Sequence, residues 1–139
     1  MDRPEGLSII LLNSKKQVLL FLRDDKSSIP FPNTWDLLGG HPEDSESPEE
    51  GIRREMQEEI ELELGEIYLF REYRWEDYQE YIFWKELDLD LTKTKLHEGQ
   101  RLAYFSKENI KRTQLAFHAN QVLDDFFDFL ESKENSLED

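Results

Sequence analysis

Apolar residues first gather in two short unbroken runs, Leu7 to Leu12 and Val18 to Leu22, parted by Asn13-Ser14-Lys15-Lys16. Runs of this length around a polar spacer predict two strands joined as a hairpin. Asp24 to Asn33 holds two prolines and two serines and reads as a loop. Trp35 to Leu38 reads as a short strand running into Gly39-Gly40, followed by a polar loop from His41 to Glu46. Ser47 then suits an N-cap, Pro48 the first helical position and Glu50 the third residue of a capping box. These signals predict a helix from Pro48 to about Ile60, with Ile52, Met56 and Ile60 forming a buried stripe at every fourth position. Gly65 marks a turn, after which Ile67 to Tyr73, Tyr78 to Leu87 and Arg101 to Phe105 read as strands. Ser106 caps a turn through Glu108. Leu115, Val122, Leu123, Phe126, Phe127 and Leu130 fall at helical spacing and predict a last helix over about Leu115 to Leu130. The polar residues after it read as a frayed tail.

Strands alternating with two helices point to a mixed α/β layer fold. At 139 residues with no internal repeat, one domain over residues 1–131 is expected, with residues 132–139 as the tail. Charge narrows the function classes. Thirty-two acidic against 17 basic residues give a formal net charge of −15. Such a surface repels nucleic-acid backbones and anionic membranes, so neither is expected as a partner. A phosphate-bearing ligand would need cations to bridge it to the chain. The absence of cysteine removes disulfides, thiolate metal sites and cysteine nucleophiles. The N-terminus lacks a basic region followed by a long apolar stretch, and a cytoplasmic location is expected.

The chemistry concentrates on the first predicted helix. Glu55, Glu58 and Glu59 stand at i, i+3 and i+4, a spacing that places three carboxylates on neighbouring parts of one face. Mg²⁺ or Mn²⁺ suits such a cluster, because hard cations prefer carboxylate oxygens and water. Glu46 lies close enough in sequence to join them, and Arg54 is placed to orient a carboxylate. A Glu-x-x-Glu-Glu helix in a glutamate-rich chain is, taken alone, usually just a solvated face.

Gly40 to Leu62 resembles the Nudix box, G-x5-E-x7-R-E-U-x-E-E-x-G-U with U a bulky apolar residue. Gly40, Glu46, Arg54, Glu55, Met56, Glu58, Glu59 and Leu62 fall in register, and Glu61 stands at the box's second glycine. Trp35 to Gly40 also resembles the strand and double glycine that precede the box. The resemblance implies an α/β/α sandwich with a mixed sheet between helices. It also implies metal-dependent hydrolysis of a nucleoside diphosphate linked to a further group. Carried over by position, Glu55, Glu58 and Glu59 are metal ligands, Arg54 orients them, Glu46 is a secondary metal ligand or a support, and the Gly40 carbonyl completes the shell. Glu98, before Gly99, is similar to a glutamate that supplies the general base in many relatives; an ordinary loop glutamate is the plain alternative.

Specificity is less legible. Arg23 is placed to contact phosphate or base, or is a surface charge. Asn120, in Phe117-His118-Ala119-Asn120, resembles the purine-reading asparagine of MutT-type members, without their preceding prolines. Trp35, Tyr73, Trp75, Tyr78, Phe83 and Trp84 include either a base-stacking platform or core. The expected substrate is a nucleotide-type small molecule, foremost a nucleoside triphosphate, ordinary or with an oxidised purine, cleaved to monophosphate and pyrophosphate. A nucleotide sugar or ADP-ribose is the rival, and a non-catalytic ligand sensor the reading from another class. The chain is expected to be a monomer or homodimer.

Overall fold

The computed structural model describes residues 4–138. In chain order its elements are β1 (Glu5–Leu12), β2 (Val18–Leu22), β3 (Trp35–Asp36), β4 (Leu38–Gly40), α1 (Pro48–Ile60), β5 (Tyr68–Arg74), β6 (Gln79–Glu86), β7 (Arg101–Phe105), α2 (Lys107–Lys111) and α3 (Ala119–Glu138). Among the described residues no helix is long and apolar enough to cross a membrane.

β1 is the spine. Its apolar run is continuous because both of its faces are covered. Leu7, Ile9 and Leu11 meet Ile52, Met56 and Ile60 of α1 on one side. Ile10 and Leu12 meet Val122, Leu123, Phe126 and Phe127 of α3 on the other. β1 pairs with β6 in parallel from Glu5↔Gln79 to Leu12↔Glu86 and with β4 in the antiparallel sense. β5 lies outside β6, while β2 carries β3 and β7. The sheet is thus mixed and sits between helices, as the resemblance implied.

Several boundaries differ from expectation, most of all those around β3, β4 and the last helix. The strand expected over Trp35 to Leu38 is two strands, β3 on β2 and β4 on β1. Asp36 accepts a hydrogen bond from the Leu37 amide at 2.8 Å, which takes that amide out of the ladder where the chain changes partners. The last helix starts at Ala119, not Leu115, because Phe117 has φ +52° and a left-handed residue interrupts a right-handed helix. It also runs on to Glu138, so the tail expected to fray has helical backbone. Residues 131–138 contain neither proline nor glycine to stop it. Residues 1–3, part of the N-terminus considered above, and Asp139 lie outside the described residues.

Candidate functional site

α1 begins where its capping box predicts. The Ser47 side chain accepts from the Glu50 amide, and Glu50 accepts from the Ser47 amide. The cap fixes the helix phase, and the phase separates the three glutamates. Glu59 shares the inward stripe with Ile52, Met56 and Ile60 and is only 4% exposed. Glu55 lies at the boundary, its side chain 15% exposed. Glu58 points outward, its side chain 58% exposed.

Arg54 organises the outer carboxylates. Its Nε and Nη2 donate to the two oxygens of Glu46 at 2.8 and 3.1 Å. Its Nη1 donates to Glu55 at 3.1 Å and Glu58 at 3.2 Å, and Nη2 also donates to the His41 carbonyl at 2.9 Å. These contacts engage the whole guanidinium fork. Hydrogen bonding from Arg54 holds the Glu46 carboxyl below its ordinary range, and the same bond raises Arg54. Glu46 further accepts from the Glu43 amide at 2.8 Å, tying the loop to the helix. Its position makes it the anchor of Arg54.

The inner part of the site is built against the double glycine. The Glu55 carboxyl rests on Gly40 so closely that a Cβ there would lie 2.3 Å from its Cδ. The His41 amide also donates to Glu55, whose pKa is nonetheless raised, chiefly by burial. Glu59 receives the Gly39 amide and faces Glu98. Burial foremost, then the hydrogen bond and charge of Glu98 and the charge of Glu55, push its carboxyl up to about 10. Its Oε2 is buried without a hydrogen-bond partner. Two carboxyls can share a hydrogen bond only with a proton between them, and a cation in that place would satisfy both.

An all-oxygen donor set with an unpartnered buried acceptor fits a hard divalent cation. Glu55, Glu59, Glu98 and the backbone at Gly40 are brought together, while Arg54 draws Glu58 to the outside. Among the described residues no three potential ligands already stand in coordinating geometry. A cation would have to draw Glu55 and Glu58 from Arg54.

The two residues expected to touch substrate have protein partners. The Arg23 guanidinium pairs with Asp36 at 3.6 Å, donates to the Pro30 and Phe31 carbonyls, and lies 5.1 Å from the centre of the Phe117 ring. Asn120 is turned inward. Its Oδ1 accepts from the Leu115 amide at 2.9 Å and its Nδ2 donates to the Thr113 and Ile110 carbonyls at 2.9 and 3.4 Å. In this arrangement the amide fastens the turn before α3, and both of its N–H groups are engaged.

A second polar group, missed in the sequence, lies across the sheet. Ser8 donates to Glu80 at 2.7 Å, and Glu80 also accepts from the Trp75 indole at 3.0 Å. Trp75 is stacked between Tyr73 and His118, at 4.9 and 3.9 Å between ring centres, with Tyr78 tilted against the histidine. Phe83 and Trp84 are core, and Trp35 packs edge-on against Phe105. Burial pushes the Asp36 carboxyl up to about 7; the Leu37 amide and Arg23 oppose that rise, and the Glu80 charge adds to it. The one available signal was a serine inside the apolar run of β1.

Asp36 leads to a pH prediction. Between its unfolded value near 3.8 and its folded value near 7, the folded chain holds a proton that the unfolded chain has lost. Its contribution is therefore complete below about pH 4 and is lost as pH rises to about 7, at up to about 1.4 kcal/mol per pH unit. Urea unfolding from pH 5 to 7.5 should show a shallower decline for Asp36→Asn than for the parent chain. Parallel curves would contradict the assignment.

Comparison with known proteins agrees with this architecture. A family profile described as the NUDIX domain matches residues 2–126. None of the curated proteins compared matches the sequence significantly. The Nudix domain of Shewanella oneidensis NrtR, complexed with ADP-ribose, superposes with a TM-score of 0.77 at 17% identity, covering 94% of this chain and 90% of that one. A MutT from a study of the Aliivibrio salmonicida and Vibrio cholerae proteins gives 0.74 at 20% identity, covering 89% and 96%. MutT from Methanosarcina mazei gives 0.68 at 22% identity, covering 96% of each chain. At these identities the superpositions establish the fold.

Proposed function

The chain belongs to the Nudix family of hydrolases, and from that premise we propose that it cleaves the phosphoanhydride of a nucleoside diphosphate linked to a further group. The observation that carries this reading is the buried Glu59, with one oxygen unpartnered and the other group facing Glu98 beside the double glycine. Glu55, Glu58, Glu59 and the Gly40 carbonyl are the residues that would hold Mg²⁺ or Mn²⁺. Bound there, the cation neutralises phosphate charge and acidifies water.

The chain's own contribution is placement. Glu98 accepts the proton of the attacking water, and the Gly99 turn sets its reach. Arg54, braced by Glu46 and the His41 carbonyl, aligns Glu55 and sets the outward limit of Glu58. The favoured substrate is a nucleoside triphosphate, including one with an oxidised purine, giving nucleoside monophosphate and pyrophosphate. The aromatic column of Tyr73, Trp75 and His118 supports a planar base stacked at its end. The ADP-ribose bound by the NrtR Nudix domain makes that ligand the second reading.

The test is a panel of ordinary and oxidised nucleoside triphosphates, nucleotide sugars and ADP-ribose, each with Mg²⁺, with the products separated by ion-exchange chromatography. Monophosphate and pyrophosphate from a triphosphate are expected. Turnover confined to ADP-ribose or nucleotide sugars would replace the substrate, and binding of any of them without turnover would favour a sensor.

A further inference from the structure

Glu61 occupies the position at which the box has glycine, and its backbone keeps the conformation for which glycine is suited. It caps α1 with φ +53° and ψ +40°, its amide donating to the Gln57 carbonyl at 3.1 Å. Glycine would adopt that left-handed conformation without steric penalty. What the glutamate adds is a side chain. One of its carboxylate oxygens lies 2.6 Å from Nε2 of His97, in the loop that leads to Glu98.

The loop meets the helix end twice. Besides the side-chain bond to Glu61, the His97 amide donates to the Glu59 carbonyl at 2.8 Å. Beyond Glu98 the chain is fastened to β2. Gly99 has φ +82°, and a Cβ there would come within 2.6 Å of the Phe21 ring and 2.7 Å of the Leu22 carbonyl. The Gln100 amide donates to that same Leu22 carbonyl at 2.8 Å, and its side chain donates to the Arg23 carbonyl at 2.7 Å and to Asn33 at 2.9 Å. Glu98 is therefore held between an anchor on α1 and an anchor on β2. The β2 anchor relies on backbone packing and several hydrogen bonds. The α1 anchor has one backbone bond and the Glu61–His97 contact.

We infer that Glu61 and His97 form a positioning clasp that holds the Glu98 loop against Glu59, with the glutamate at the box's glycine position supplying half of it. The inference rests on the reading of Glu98 as the proton acceptor; neither clasp residue touches the substrate. An exposed pair of this kind contributes little to global stability. Its effect is local, restricting the segment that carries one reacting group.

Glu61→Gly restores the box and suits the backbone, so the variant should fold with undiminished thermal stability. Hydrogen–deuterium exchange of the metal-free, substrate-free protein should then show faster exchange at the amides of His97 and Glu98. Turnover on whichever substrate the panel identifies should show kcat lowered about 10- to 100-fold, the range for loss of a residue that orients a site, with KM unchanged. His97→Ala should reproduce both effects, and the double variant should be no worse than either single one. Glu61→Gln, which keeps an oxygen for the imidazole N–H, should recover most of the lost kcat. Unchanged exchange in Glu61→Gly would overturn the clasp. Faster exchange with unchanged kcat would overturn its positioning role. Glu98→Gln with full turnover would instead overturn the reading of Glu98, which the exchange data do not depend on.

Discussion

Glu59→Gln is expected to lower kcat by about 10³-fold, the upper range for removal of one preorganised electrostatic group, while leaving the fold intact. The two halves of that expectation come from the same burial. Desolvation and the facing Glu98 keep the Glu59 carboxyl protonated at neutral pH in the cation-free chain, its pKa pushed up to about 10. Glutamine has nearly the same shape, and its neutral amide replaces a neutral acid, so the buried face of α1 keeps its packing. What it cannot do is become an anion when a cation arrives. Steady-state kinetics at saturating Mg²⁺, beside urea unfolding of both proteins, would separate the two. Full activity in the variant, or loss of activity only through unfolding, would remove Glu59 from the centre of the account.

Gly40→Ala carries the second large effect. The added methyl would sit 2.3 Å from Cδ of Glu55, and 2.4 and 2.6 Å from its oxygens. Because the obstacle is the far end of a flexible side chain, the backbone has no need to move; Glu55 must swing away instead. Circular dichroism and thermal midpoint should therefore stay close to those of the parent. The displacement is comparable to the misplacement of about 1 Å that costs on the order of 10²-fold in rate, and it should also weaken the apparent affinity for Mg²⁺. An alanine variant with parental kcat and parental Mg²⁺ dependence would show that Glu55 and Gly40 do not jointly form the site.

How far the sequence disclosed all this depends on how local each feature is. α1 was legible to the residue because Ser47, Pro48 and Glu50 are adjacent signals whose meaning does not depend on the rest of the chain. The apolar run of β1 indicated a strand, and its burial on both faces explains why no alternation appears. The split between β3 and β4 was hidden, since a two-residue strand leaves no periodicity and the break is made by the carboxylate of Asp36. The start of α3 was misplaced because Leu115 and Ala116 are buried at nearly helical spacing although they precede the helix.

The site followed the same rule. Register with the box identified Glu55, Glu58 and Glu59 as a group, whereas their separation into inward, boundary and outward positions came from packing. Arg54 was expected to orient the ligand glutamates; in the cation-free chain it bridges Glu46, Glu55 and Glu58 and, among the described residues, forms no ion pair with Glu59. The inward turn of Asn120 depends on carbonyls of the α2 region and the loop after it, at Ile110 and Thr113. The Ser8–Glu80 contact joins residues 72 positions apart through the parallel register of β1 and β6, which no local pattern announces.

The proposed chemistry needs a divalent cation among Glu55, Glu59 and the backbone at Gly40. Crystals of the chain soaked in Mn²⁺ and measured for anomalous scattering address it directly. An anomalous peak is expected within coordinating distance of Glu55, Glu59 and the Gly40 carbonyl, with Glu58 turned from Arg54 toward it. A peak confined to other acidic residues of this −15 chain, with Glu59 still facing Glu98 and unliganded, would contradict it.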